Sequence, residues 1–230
     1  MAACTSTHHA VTMLWRRTRN MTFRYGTEIK FGRISSWLVP ALLFLLFLPP
    51  AASAHPHVFV DYSLTFVFDQ KGLSGIAMEW AFDEMFTQML LEEGDLNRDR
   101  RFDSREIAAI KSGAFDNLAN YAWFTRILVN GRPFQITAVT SFKAVLKNGR
   151  ARYSFFIPCR VPAGGARQQV SLTLYDPTNY TDLALTAEGI HYSGPADRYQ
   201  PRHEETLAQE VGFADAPLLP DGILLEFKSP

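Results

Sequence analysis

The sequence is poor in cysteine, has no surplus of charge and has no apolar run long enough to span a membrane. Its two cysteines are Cys4 and Cys159, which is too few for a disulfide framework. Its 23 basic and 23 acidic residues cancel, so it lacks the positive surplus that neutralises phosphates, and nucleic acid is not an expected partner. A spanning helix needs roughly 20 apolar residues, whereas the run Trp37–Leu48 is shorter and is broken by Pro40. Nucleophile elbow, zinc-protease helix and phosphate loop are all missing, which argues against an enzyme. Alternating βαβ units are also missing, which argues against a two-lobed solute-binding protein.

The short apolar run belongs to a recognisable pattern. Arg16, Arg17, Arg19, Arg24, Lys30 and Arg33 precede it against the single acid Glu28, and Ala52-Ser53-Ala54 follows. Basic segment, apolar segment and small-residue site in that order predict a secretory signal, residues 1–54, cleaved after Ala54. Translation starts at either Met1 or Met21. Cleavage leaves 17 basic against 22 acidic residues and Cys159 as the lone thiol. Residues 55–230 then form a single exported periplasmic domain without a membrane span, held by packing and not by a disulfide.

Val58 to Phe68 alternates apolar and polar residues and predicts a half-buried strand. Gln70-Lys71-Gly72 reads as a turn, and Ile76, Met78, Trp80 and Phe82 share a face of a second strand. Between 83 and 123 the period becomes helical. Met85, Phe86, Met89 and Leu90 form one stripe, and Ile107, Ile110, Phe115, Leu118 and Tyr121 form another. Asp103 or Ser104 can cap the second helix, which Gly113 weakens. Strands return after Trp123. Asn130-Gly131 and Asn148-Gly149 are hairpin turns that need positive φ, and further strands are expected at 126–129, 134–146, 152–158, 170–175 and 223–227. Residues 194–222, rich in proline and polar residues, read mostly as loop. The expected fold is mainly β, with sandwich-like antiparallel sheets and a helix–loop–helix insert at 83–123.

The insert carries the strongest chemical signal. Counting from Asp95, side-chain oxygens fall at positions 1 (Asp95), 3 (Asn97), 5 (Asp99), 9 (Asp103) and 12 (Glu106), with the backbone carbonyl of Arg101 at 7. This is the spacing of an EF-hand calcium loop, in which six to eight hard oxygens gather as the chain curls around the ion. Position 6, usually glycine because the chain turns sharply there, is Arg100. That residue and its neighbours Arg98, Arg101 and Arg105 predict weak calcium binding and a structural clip in preference to a sensor.

Cleavage after Ala54 would begin the chain at His55-Pro56-His57. An amine and two imidazoles would then share one short segment, and zinc, nickel and copper favour such nitrogen ligands. Pro56 has no N–H to lose, which excludes a square-planar site built on deprotonated amides. Hairpin pairing about residues 70–71 would set His57 near Asp83 and Asp61 near Glu79, on one face. His55, His57, Asp61, Glu79 and Asp83 are therefore candidate ligands. The alternative is that the histidines only begin a polar strand. His191 and His203 have no diagnostic spacing, Asp176-Pro177-Thr178 reads as an Asx turn, and Cys159 reads as an inert buried thiol.

His-Pro-His-Val-Phe-Val-Asp after the signal, Glu79-Trp80-Ala-Phe82-Asp83-Glu84-Met-Phe86, the Asp95-x-Asn97-x-Asp99 loop and Tyr175-Asp176-Pro177-Thr178 together resemble a bacterial family of unknown function. Its members are labelled periplasmic components of an ABC-type transport system and are associated with nickel/cobalt-efflux-type permeases, with zinc also implicated. The resemblance implies a periplasmic accessory that handles zinc, nickel or cobalt beside an inner-membrane permease. A calcium-stabilised interaction module without a transition metal is the alternative.

Overall fold

The computed structural model describes residues 57–216 and 220–229; the predicted leader, its cleavage site and His55 lie outside the described residues. Strand β1, Val58–Asp69, has the expected alternation, with Val58, Val60, Tyr62, Leu64, Phe66 and Phe68 all buried. It pairs antiparallel with β2, Gly72–Phe82, across the turn Gln70-Lys71. The Asp69 carboxylate accepts the Lys71 N–H at 2.7 Å. Gly72 sits at φ +134°, where a Cβ would lie 2.5 Å from the Val161 carbonyl.

The turn lies where the sequence places it, but the register beyond it does not follow. Phe68 pairs with Leu73 and Val67 with Gly75, so Ser74 has no partner. Continued without a bulge, the pairing of Asp69 with Gly72 and Phe68 with Leu73 would set Asp61 opposite Trp80. The bulge adds one residue and sets Asp61 opposite Ala81 and Glu79 opposite Ser63, two residues along the strand from the expected Asp61–Glu79 match.

Ten strands among the described residues make two five-stranded sheets. The first has the order β5-β6-β2-β1-β8, with β5 at Thr140–Lys147, β6 at Arg150–Pro162 and β8 at Thr181–Ser193. The second has the order β4-β3-β7-β10-β9, with β3 at Thr125–Val129, β4 at Arg132–Phe134, β7 at Gln168–Leu174, β9 at Arg202–Leu207 and β10 at Asp221–Phe227. Both Asn-Gly turns have the paired positive φ that their hairpins require, at 50° and 75° for Asn130-Gly131 and at 54° and 77° for Asn148-Gly149.

Three expectations need correction. The sheets are not wholly antiparallel, because β8 runs parallel to β1. The stretch 134–146 is not one strand but the end of β4, an irregular link and β5. Residues 194–222 are not mostly loop; they contain β9 and the short 3-10 turns Ala196–Tyr199 and Ala208–Val211.

One buried cluster draws on both sheets, from Phe66 and Ile76 of the first to Leu172 and Ile223 of the second. Phe68 meets Phe227 edge to face at 5.3 Å between the sheets. Cys159 is fully buried in this cluster, and burial pushes its thiol up to about 12, so little reactive thiolate forms at neutral pH.

Between β2 and β3 the chain forms helices α1, Glu84–Gly94, and α2, Ser104–Gly113. Asp83 caps α1 by accepting the Phe86 N–H at 2.8 Å. Asp103, not Ser104, caps α2 in a capping box with Glu106. The second helix stops at Gly113 and gives way to a 3-10 segment, Phe115–Phe124, instead of continuing to Tyr121. The segment ends on three consecutive left-handed residues, Ala122, Trp123 and Phe124, at φ 51°, 50° and 54°. Each such residue costs roughly 1–2 kcal/mol, so packing must hold this turn in place. Among the described residues, no helix is long and apolar enough to cross a membrane.

Candidate calcium loop and the start of strand one

Asp95 follows the last turn of α1 and its N–H bonds the Leu91 carbonyl at 3.1 Å. It has the charge of a surface residue but is only 6% exposed, and Glu106 on α2 is only 2% exposed. Both carboxylates are surrounded by backbone N–H groups. Asp95 Oδ1 accepts from Asp99 at 3.1 Å and Oδ2 from Arg100 at 2.8 Å. Glu106 Oε1 accepts from Leu96 at 2.8 Å, and Oε2 accepts from Asp103 at 2.9 Å. Asn97 Oδ1 accepts from Asp99 and Asp99 Oδ1 from Arg101, each at 2.8 Å. The result is a chain curled round its own acidic side chains.

The curl requires left-handed backbone at Arg98 and Arg100, at φ 59° and 61°. Arg100 therefore has the conformation that glycine adopts without penalty. Arg100→Gly should raise the unfolding free energy by about 0.5–1 kcal/mol, read as a higher urea midpoint at unchanged slope. A lower midpoint would mean that the arginine side chain contributes more than its backbone costs.

Among the described residues, no ion pair joins Arg98, Arg100, Arg101 or Arg105 to a loop carboxylate. Nor do three His, Cys, Asp or Glu side chains converge there as a ready-made metal cluster. The loop thus holds two buried carboxylates whose hydrogen bonds come from backbone N–H groups, with hard oxygens as its only side-chain donors apart from the arginines.

The second candidate site is less well assembled. His57 is exposed, donates its N–H to the Tyr180 carbonyl at 2.8 Å and sets its ring 5.2 Å from the Tyr180 ring. The carboxylates expected beside it have other partners. Asp61 Oδ2 pairs with Arg150 at 2.6 Å, and Glu79 pairs closely with Arg152. Asp83 Oδ2 accepts from the Phe59 N–H at 2.7 Å while its other oxygen caps α1. Sequence reasoning missed both arginines. The available signal was the alternation of β6, which puts Arg152 opposite Ala81 and beside Glu79 once β6 is known to flank β2.

Met85 and Met89, at helix spacing with Phe86 and Leu90 in the sequence, are not on the buried side. They are 66% and 43% exposed; Thr87, Leu90 and Leu91 form the buried side of α1. Of the remaining histidines, His191 is exposed on β8, and His203 Nδ1 lies 2.7 Å from the Tyr192 hydroxyl. Asp176 forms the expected turn, with Oδ1 accepting from the Thr178 N–H at 2.8 Å and Oδ2 from Thr181 at 2.9 Å.

The profile of a family described as "Protein of unknown function (DUF1007)" matches residues 40–210, which takes in both candidate sites. The chain belongs to the DUF1007 family. Relatives of this DUF1007 chain include an "Uncharacterized 15.5 kDa protein in trpE 3'region" of Spirochaeta aurantia, 29% identical over 100 residues that cover 44% of this chain and 71% of the relative. An "Uncharacterized protein" of Haemophilus influenzae is 22% identical over 150 residues, which cover 64% of this chain and 71% of the relative.

Proposed function

We propose that this DUF1007 protein is exported to the periplasm and serves there as a calcium-clipped accessory module of an inner-membrane permease. The observation that carries the calcium part is the pair of buried carboxylates, Asp95 and Glu106, at the first and twelfth positions of a loop of oxygen donors with no cationic partner among the described residues. The donor set fits a hard ion: Asp95, Asn97, Asp99, Asp103 and Glu106 would hold it with their side chains and Arg101 with its carbonyl. The ion would supply positive charge and join the end of α1 to the start of α2. The protein's own part is to present the curl, and its role is binding, not catalysis.

Export and the permease partner rest on the leader pattern and on the family resemblance. Calorimetric titration of the exported protein tests the calcium part. One site with a Kd of roughly 0.1–1 mM, lost in Asp95→Asn, is the expected result; no binding at 10 mM calcium would overturn it.

A second reading, zinc, nickel or cobalt handling, draws support from the exposed ring of His57 at the start of β1. His55 and His57 would be its primary ligands. The pairing of Asp61 and Glu79 with arginines, and of Asp83 with backbone N–H groups, leaves those carboxylates poor candidates to complete the sphere. The chelate would therefore depend on the amine freed by cleavage after Ala54.

A further inference from the structure

Strand β1 begins just after His57, and β2 runs through the cap Asp83 straight into α1, so His57 and the first turn of α1, with Met85, lie at the same end of the hairpin. Met89 stands one helical turn further along the same exposed side of α1. His57, Met85 and Met89 line one hollow of about 290 Å³ together with Val58, Phe86 and Tyr180. No carboxylate is among the described residues that line it.

Two thioethers and an imidazole around a space whose lining holds no carboxylate, with the Tyr180 hydroxyl as its one side-chain oxygen, discriminate among cations. Calcium and magnesium demand oxygens, and zinc sites take thiolate, imidazole and carboxylate. Thioether sulfur is a soft donor, suited to monovalent copper. The unbranched methionine side chain has three rotatable bonds with which to bring its sulfur to an ion. Ordinary packing does not explain two methionines exposed on the same side of α1, since Thr87, Leu90 and Leu91 already form the helix's buried side.

We infer that His57, Met85 and Met89 form a soft-cation site that binds Cu(I), with Ag(I) as its redox-inert substitute. The site does not touch the calcium loop; it shares His57 with the nitrogen-chelate reading but needs neither His55 nor the N-terminal amine, and the two thioethers are its own. Binding is ligand addition without electron transfer: each sulfur and the imidazole nitrogen donates a lone pair, and the ion stays monovalent.

The test uses the full chain produced for export, with its methionine methyl groups labelled with 13C. One equivalent of Ag(I) should shift the methyl signals of Met85 and Met89 and leave that of Met78, buried at 2% exposure, in place. Met85→Leu with Met89→Leu keeps the surface apolar but removes both sulfurs. It should weaken Cu(I) binding at least tenfold in competition with a bathocuproine chelator, and His57→Ala should do the same. Nickel uptake by the double leucine variant should match that of the wild type, which separates this site from a nitrogen chelate at the terminus. Unmoved methyl signals, or wild-type Cu(I) affinity in the folded double variant, would overturn the inference and leave the hollow an apolar surface.

Discussion

Trp80→Ala should lower the unfolding free energy by about 3–5 kcal/mol, the usual range for removing a buried large aromatic. Trp80 is 1% exposed at the centre of the first sheet. Its ring meets Phe155 edge-on at 5.1 Å and Phe82 edge-on at 6.4 Å, and it stacks on Phe124 at 6.1 Å. The last contact gives the substitution more than a cavity effect. Phe124 is the third of the left-handed residues that return the chain from the helical insert to β3, and the indole face is one of the surfaces holding it there. Among the described residues the Trp80 Nε1 has no hydrogen-bond partner, so truncation strands no polar group of theirs and the loss is one of packing. For a domain whose total stability is of order 5–15 kcal/mol, this loss removes roughly a fifth of it at the least and nearly all of it at the most. Urea unfolding followed by far-ultraviolet circular dichroism measures it. A loss below about 1 kcal/mol would show that neighbouring rings collapse into the space and that the left-handed turn is held by other contacts.

Local patterns in the sequence translated well into structure. The alternation of β1 became a strand buried on one side, both Asn-Gly turns became hairpins, and the spacing from Asp95 to Glu106 became a curled loop between two helices. Each depends on residues within about a dozen positions of one another. What failed required knowledge of neighbours distant in the chain. Strand β8 alternates weakly, and much of it is exposed, including Glu188 and His191, so nothing local marked it as the parallel partner of β1. The unpaired Ser74 is an ordinary residue in an apparently regular strand, yet it shifts all the pairing beyond it by one residue, which sets Asp61 opposite Ala81 instead of Trp80. The proposed nitrogen-and-carboxylate site suffered from both gaps. Without β6 beside β2, the arginines that pair with Asp61 and Glu79 could not be placed. Without the packing of α1, nothing in the helix-spaced stripe marked Met85 and Met89 as exposed neighbours of His57.

Calcium at 10 mM should raise the melting temperature of the wild-type protein by roughly 3–11 °C relative to the same protein in chelator. The range follows from a Kd of roughly 0.1–1 mM, which gives about 1.4–2.7 kcal/mol of linked stabilisation, at about 2–4 °C per kcal/mol for a domain of this size. Glu106→Gln should abolish the shift, and it should also cost about 1–3 kcal/mol in chelator. The second effect has its own cause. Both Glu106 oxygens are committed as acceptors, Oε1 to Leu96 and Asn97 and Oε2 to Asp103. Glutamine keeps one acceptor and replaces the other with an NH₂ that faces backbone N–H donors. The two effects are therefore separable: the loss in chelator reports the loop's own hydrogen bonds, and the lost shift reports the ion. Differential scanning calorimetry of both proteins with calcium, magnesium and chelator measures them together. If the wild type melts at one temperature in all three while Glu106→Gln melts lower in all three, the loop closes on its own backbone and calcium has no part in it. If only calcium moves the wild type, the two buried carboxylates hold the ion, and Arg100 at its left-handed position accounts for a binding constant no tighter than the range used here.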